Sequence, residues 1–89
     1  MNQLEILRES LGQCDEIILD ALLMRNRIVE DIMAYKEANG IPILQPEQEA
    51  KQKEWLERRM ADRRHKAEVE DVFDSITQSS ISAIWRRTC

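Results

Sequence analysis

Apolar residues recur at steps of three and four from Leu4 to Asn39. They are Leu4, Leu7, Leu11, Cys14, Ile18, Leu22, Val29, Ile32 and Tyr35. Spacing of this kind, sustained this long, predicts one amphipathic helix rather than strands. No proline interrupts the stretch. Its internal glycine, Gly12, costs about 1 kcal/mol relative to alanine, too little to force a break. The helix is expected from Gln3 to Ala38, with residues 1 to 3 frayed. Asn39-Gly40 then stops it, because both residues tolerate the left-handed conformation. Ile41-Pro42 reinforces the stop, since a residue before proline is pushed out of the helical region. Some 35 residues at 1.5 Å rise span roughly 50 Å. A compact domain of this length has a radius of gyration of only about 12 Å. One chain cannot cover such a face, so a second chain is expected over it.

Two shorter helices follow. Pro46 suits the first position of a helix, and Glu47 and Glu49 then lie in its first turn, where the dipole favours acids. Gln45 is a poor N-cap by preference. Trp55, Leu56 and Met60 give this helix an apolar face, and it should end at Met60 or Ala61. Residues 61 to 66 have no apolar anchor and read as a loose turn. A third helix is expected from Ala67 to Arg86. Its apolar line is Val69, Val72, Phe73, Ile76, Ile81 and Ile84, with Trp85 beside it and Ser80 on the line. Ile41, Ile43 and Leu44 are apolar for a loop and should pack against something. The expected fold is all-α: three helices per chain, the first very long, in one domain over residues 1–89. An intertwined homodimer is the symmetric way to cover the long helix.

One side of the first helix carries an anomaly. Its residues are Leu4, Arg8, Leu11, Asp15, Ile18, Leu22, Arg25, Val29, Ile32 and Lys36. Three cations and an acid share a line that should be buried, and a charge removed from water is costly unless paired. The three cations either extend their heads into solvent from the edge of the stripe or form an anion site. Arginine grips a carboxylate with a planar fork, and lysine acts as a point charge. Arg8 lies seventeen residues before Arg25, roughly 25 Å along the axis, so the two cannot hold one small ligand within one chain. An antiparallel partner would bring its Arg8 to the other chain's Arg25. Arg27 points about 200° away from Arg25 and reads as solvated.

Composition narrows the class. At 43% hydrophobic and 34% charged, with two glycines and two prolines, the chain suits a soluble helical protein and not a disordered one. No apolar run is long enough to cross a membrane, and no signal peptide is recognisable at the N-terminus. Cys14 and Cys89 form no disulfide framework and read as reduced thiols of a cytoplasmic protein. A net charge of −4 argues against nucleic-acid binding. Arg58-Arg59 and Arg63-Arg64 near Trp55 are diluted by Glu54, Glu57, Asp62 and Glu68. His65 stands alone, without a second histidine or paired cysteines, so no metal or other cofactor is expected. No phosphate loop is present. Glu49 reads either as a dipole partner or as an acceptor for a substrate hydroxyl, and neutral Gln48 could donate to a carboxylate. Ser80 either bonds back to its own helix or contacts a ligand. Gln78 is a nearby amide, about 160° round the helix from Ser80.

Taken together, Arg8 in Leu-Arg-Glu, Asp15-Glu16-Ile17-Ile18, Arg25, Lys36, Ile41-Pro42-Ile43, Gln45-Pro46-Glu47-Gln48-Glu49 and Ser80 resemble the all-helical chorismate mutases. The resemblance implies a small intertwined homodimer that rearranges chorismate to prephenate in aromatic amino-acid biosynthesis. It implies catalytic and binding roles for Arg8, reaching across the interface, and for Arg25 on the carboxylates of this dianionic substrate. Lys36 would sit at the ether oxygen and Glu49 at the hydroxyl, with Gln45, Gln48, Ser80 and Ile84 completing the binding site. The chain departs from the family at three positions. Gln48 stands where many members have arginine, Gln45 where some have aspartate, and Ile84 where glutamine or glutamate is usual. Isoleucine cannot donate to the ether oxygen. Two other readings therefore stand beside it: an isochorismate pyruvate lyase-like enzyme of the same fold, and a non-enzymatic helical dimerisation module.

Overall fold

The computed structural model describes residues 2–43 and 45–88, with side-chain surroundings as far as Ser82. Asn2 starts the first helix. Its Oδ1 accepts the Glu5 amide N–H at 2.8 Å, and its carbonyl accepts the Ile6 N–H at 3.2 Å. This is an N-cap, which satisfies amides that have no partner inside the helix. Helix α1 then runs Gln3–Asn39 without a break at Gly12. The frayed start expected for residues 1 to 3 is therefore corrected for Asn2 and Gln3, which the cap holds in place.

The end of α1 is a Schellman turn. Gly40 takes φ +64°, and the Ile41 N–H donates to the Lys36 carbonyl at 2.9 Å. A left-handed residue just past the helix and this backward bond are what define the motif. Asn39 Nδ2 also donates to the Tyr35 carbonyl at 2.8 Å.

Helix α2 spans Pro46–Met60, with proline in its first turn. Gln45 sits before it in extended conformation, φ −127° and ψ 95°, and its side chain caps nothing. That fits its low N-cap preference. The Gln48 N–H finds the Gln45 carbonyl at 3.0 Å instead. After Met60 the chain turns: the Arg63 N–H donates to the Met60 carbonyl at 3.1 Å. His65 adopts φ 61°, in the left-handed region. Its carbonyl accepts the Val69 N–H at 3.0 Å, and helix α3 continues as Lys66–Thr88. The described residues contain no strand.

The chain forms two compact units, Met1–Ile32 and Met33–Cys89. The first is the greater part of α1. Its apolar side chains are mostly bare, from Leu4 at 54% and Leu11 at 61% to Ile17 at 69% exposed. Leu22, Arg25 and Val29 are half-buried. The second unit holds the end of α1 with α2 and α3. Among its described residues, Met33 and Leu56 are the buried hydrophobic ones. Trp55 meets Phe73 edge to face, with ring centroids 6.2 Å apart at 71°, a favoured aromatic geometry that joins α2 to α3. Ile41 and Ile43 are half-buried, as a packed loop requires.

Two expected core positions are corrected. Ile32 is exposed, and the neighbouring Met33 is buried in its place. Val72 is exposed, while Phe73 and Ile76 turn inward. The expectations for Leu44 and for the side chains of Ile84 and Trp85 lie outside the described residues.

Candidate active site

Lys36 lies in the last turn of α1 and is tied to the following loop twice. Its carbonyl accepts the Ile41 N–H, and its Nζ donates to the Ile43 carbonyl at 2.9 Å. The side chain is half-buried. An ammonium has three donors, so one bond to Ile43 leaves two for another acceptor. The Schellman turn at Gly40 sets this geometry, because it folds residues 41–43 back over the end of the helix.

Gln45, Gln48 and Glu49 surround the start of α2. Gln45 is half-buried, and Gln48 and Glu49 are exposed. Glu49 forms part of the wall of an open groove between α2 and α3, about 160 Å³ in volume. Gln52 continues the α2 wall, and Thr77 and Gln78 face it from α3. Leu56, Phe73 and Ile81 supply apolar lining. Gln52 and Thr77 are half-buried.

Ser80 does not line this groove. Its Oγ donates to the Ile76 carbonyl at 3.2 Å, the common fate of a serine on a helix. The structure thus brings Glu49 together with Thr77 and Gln78 rather than with Ser80. The side chain of Ile84 lies outside the described residues.

Arg8 and Arg25 belong to the first unit. Arg8 is exposed between Leu4, Leu7 and Leu11, each more than half exposed. Arg25 is half-buried. Both stand on one unbroken helix, α1, so their roughly 25 Å separation along its axis holds.

Two ion pairs lie at the start of α3. His65 Nδ1 is 3.9 Å from Glu68 Oε2, and Lys66 Nζ is 3.7 Å from Glu70 Oε1. Neither engages Lys36 or Glu49, so that cation and that acid keep their charge available to a ligand.

Gln52 and Thr77 were not singled out from the sequence. Gln52 follows Glu49 by three residues, and Thr77 follows Phe73 by four, which are same-face spacings on a helix. That spacing was the available signal.

The family model for chorismate mutase type II matches residues 7–83. No curated protein and no solved structure matches the chain.

Proposed function

The chain belongs to the chorismate mutase type II family and is accordingly an isomerase, and we propose that two copies of it together build the site that rearranges chorismate to prephenate. In this reading Arg25, Lys36 and Glu49 come from one protomer and Arg8 from its partner. The two arginines hold the substrate's two carboxylates and fold it into its reactive conformer. Restricting the substrate in this way removes part of the entropic barrier. Lys36 faces the ether oxygen, where negative charge grows as the C–O bond breaks, and a preorganised donor there is worth most in the transition state. Glu49 accepts the hydroxyl proton in a hydrogen bond. Gln45 and Gln48 supply polar contacts at the start of α2, Ser80 adds its hydroxyl from α3, and Ile84 contributes apolar contact only. The rearrangement is unimolecular and needs no nucleophile from the protein. A single domain over residues 1–89, working in the cytoplasm, completes the proposal.

The observation that carries the two-chain reading is the surface around Arg8. Leu4, Leu7 and Leu11 are 54%, 55% and 61% exposed, and Ile18, Leu19 and Leu23 continue the bare surface at 51%, 57% and 57%. These six positions on α1 cover an arc of roughly 160° at 100° per residue, wider than the stripe of about 100° that one neighbouring helix covers. A partner that wraps this helix with more than one element satisfies that arc. It also surrounds Arg8, whose charge then needs an anion.

The test is direct: loss of chorismate absorbance on adding the protein, with formation of prephenate. Release of pyruvate from isochorismate, with no effect on chorismate, would assign the chain to the lyase reading instead. Inertness towards both would leave the dimerisation module.

A further inference from the structure

Glu49 accounts for only half of what a bound hydroxyl needs. An ionised carboxylate accepts hydrogen bonds and donates none, whereas a hydroxyl both donates and accepts. Once its proton is given to Glu49, its oxygen still needs a donor. Among the donor side chains lining the groove beside Glu49, Lys53 and Gln78 are exposed, and two others are more sheltered. Gln52 stands three residues further along α2, on the same face, and Thr77 stands opposite on α3. Both are half-buried.

Neither donor is occupied by a protein hydrogen bond among the described residues. The contrast with Ser80 is informative. A hydroxyl on a helix commonly bonds the carbonyl four residues back, and Ser80 does so to Ile76 at 3.2 Å. Thr77, one turn earlier on α3, makes no such bond. Thr77 and Gln52 line the groove together with Leu56, Phe73 and Ile81 and with the charged Lys53 and Asp74. Donors that make no protein hydrogen bond and lie beside apolar neighbours are open to a ligand that engages them.

We propose that Gln52 and Thr77 bind the hydroxyl-bearing end of the substrate beside Glu49, so that the site extends into the α2–α3 groove and selects for the hydroxylated ring. The inference rests on the proposed reaction. Gln52 and Thr77 recognise the substrate; the bond-breaking end of the reaction belongs to Lys36. Their contacts are the same in ground state and transition state, and such contacts set KM rather than kcat.

The experiment uses Gln52→Leu and Thr77→Val, which keep approximate shape and remove the donors. Each is assayed with chorismate and with an analogue lacking the ring hydroxyl, and thermal melting verifies folding. Each substitution should raise KM for chorismate about fivefold, with kcat within about twofold of the parent. With the dehydroxylated analogue the parent and both variants should have the same affinity. A merely structural role would weaken both ligands alike. KM unchanged in both variants, or an equal penalty with both ligands, overturns the inference while leaving the reaction assignment intact. A parent protein that does not turn over chorismate removes the reaction assignment, and this inference with it.

Discussion

Replacing Lys36 with methionine separates two jobs of one side chain, one seen in the structure and one proposed. The ammonium donates to the Ile43 carbonyl at 2.9 Å, which holds the loop ahead of α2. In the proposed reaction it also faces the ether oxygen. Methionine keeps the length and the apolar stem but removes the charge and the donor. The loop bond links a half-buried side chain to the backbone of a half-buried residue. Water can replace part of it, so its loss should cost about 1 kcal/mol of stability. The Schellman bond from Ile41 to the Lys36 carbonyl uses backbone alone and survives the change. Loss of a preorganised donor at the reacting oxygen costs about 3–4 kcal/mol, or a factor of about 100 to 1000 in kcat. The catalytic effect should therefore greatly exceed the structural one. Urea unfolding gives the first quantity, and initial rates of chorismate loss at saturating substrate give the second. A kcat within threefold of the parent, in a folded Lys36→Met protein, would refute the role given to Lys36.

Three further substitutions test the fold and the interface. Ile18→Glu places a carboxylate on surface that is 51% exposed in one chain. A free surface would tolerate it within about 0.5 kcal/mol, whereas a covered one would lose several kcal/mol. Light scattering should show the mass halved at micromolar concentration. Gly40→Ala meets no atom within 4 Å of its added Cβ, so its cost is the left-handed backbone alone, about 1 kcal/mol in thermal unfolding. Gln45→Asp supplies the side-chain cap that α2 lacks and should stabilise by about 1 kcal/mol, read as a higher melting temperature.

Much of the fold could be read from local chemistry. Pro46 opens α2 and Gly40 closes α1, and both act through backbone constraints visible in a single residue type. The cap at Asn2 was missed because chain ends usually fray. Yet asparagine followed three residues later by glutamate is itself a start signal. The error at Ile32 is one of choice between two equivalent neighbours. The half-buried and buried residues are 22, 25, 29, 33 and 36. At 100° per residue, Ile32 and Met33 lie roughly 50° on either side of the face centred on 22, 25, 29 and 36, so periodicity alone does not choose between them.

The candidate site was harder to read beyond Glu49 because the rotation of α3 depends on the turn before it. His65 takes φ 61° there, a conformation that few residues other than glycine adopt, although histidine is among the more tolerant. No composition rule marks that turn. It bears on whether α3 presents Ser80 or Thr77 to the α2 groove. The charged line of Arg8, Arg25 and Lys36 was legible as an anomaly. Its explanation needs a second chain, which no periodicity within one chain can supply.

The central claim is that each site takes Lys36 from one protomer and Arg8 from the other. Arg8→Ala and Lys36→Ala proteins, each nearly inactive alone, can be unfolded together in equal amounts and refolded. Random pairing makes half the dimers mixed, and each mixed dimer contains one intact site and one doubly damaged site. The mixture should then recover about a quarter of the parent activity. Activity no higher than the average of the two separate variants, with mixed dimers present by mass spectrometry, would contradict the account.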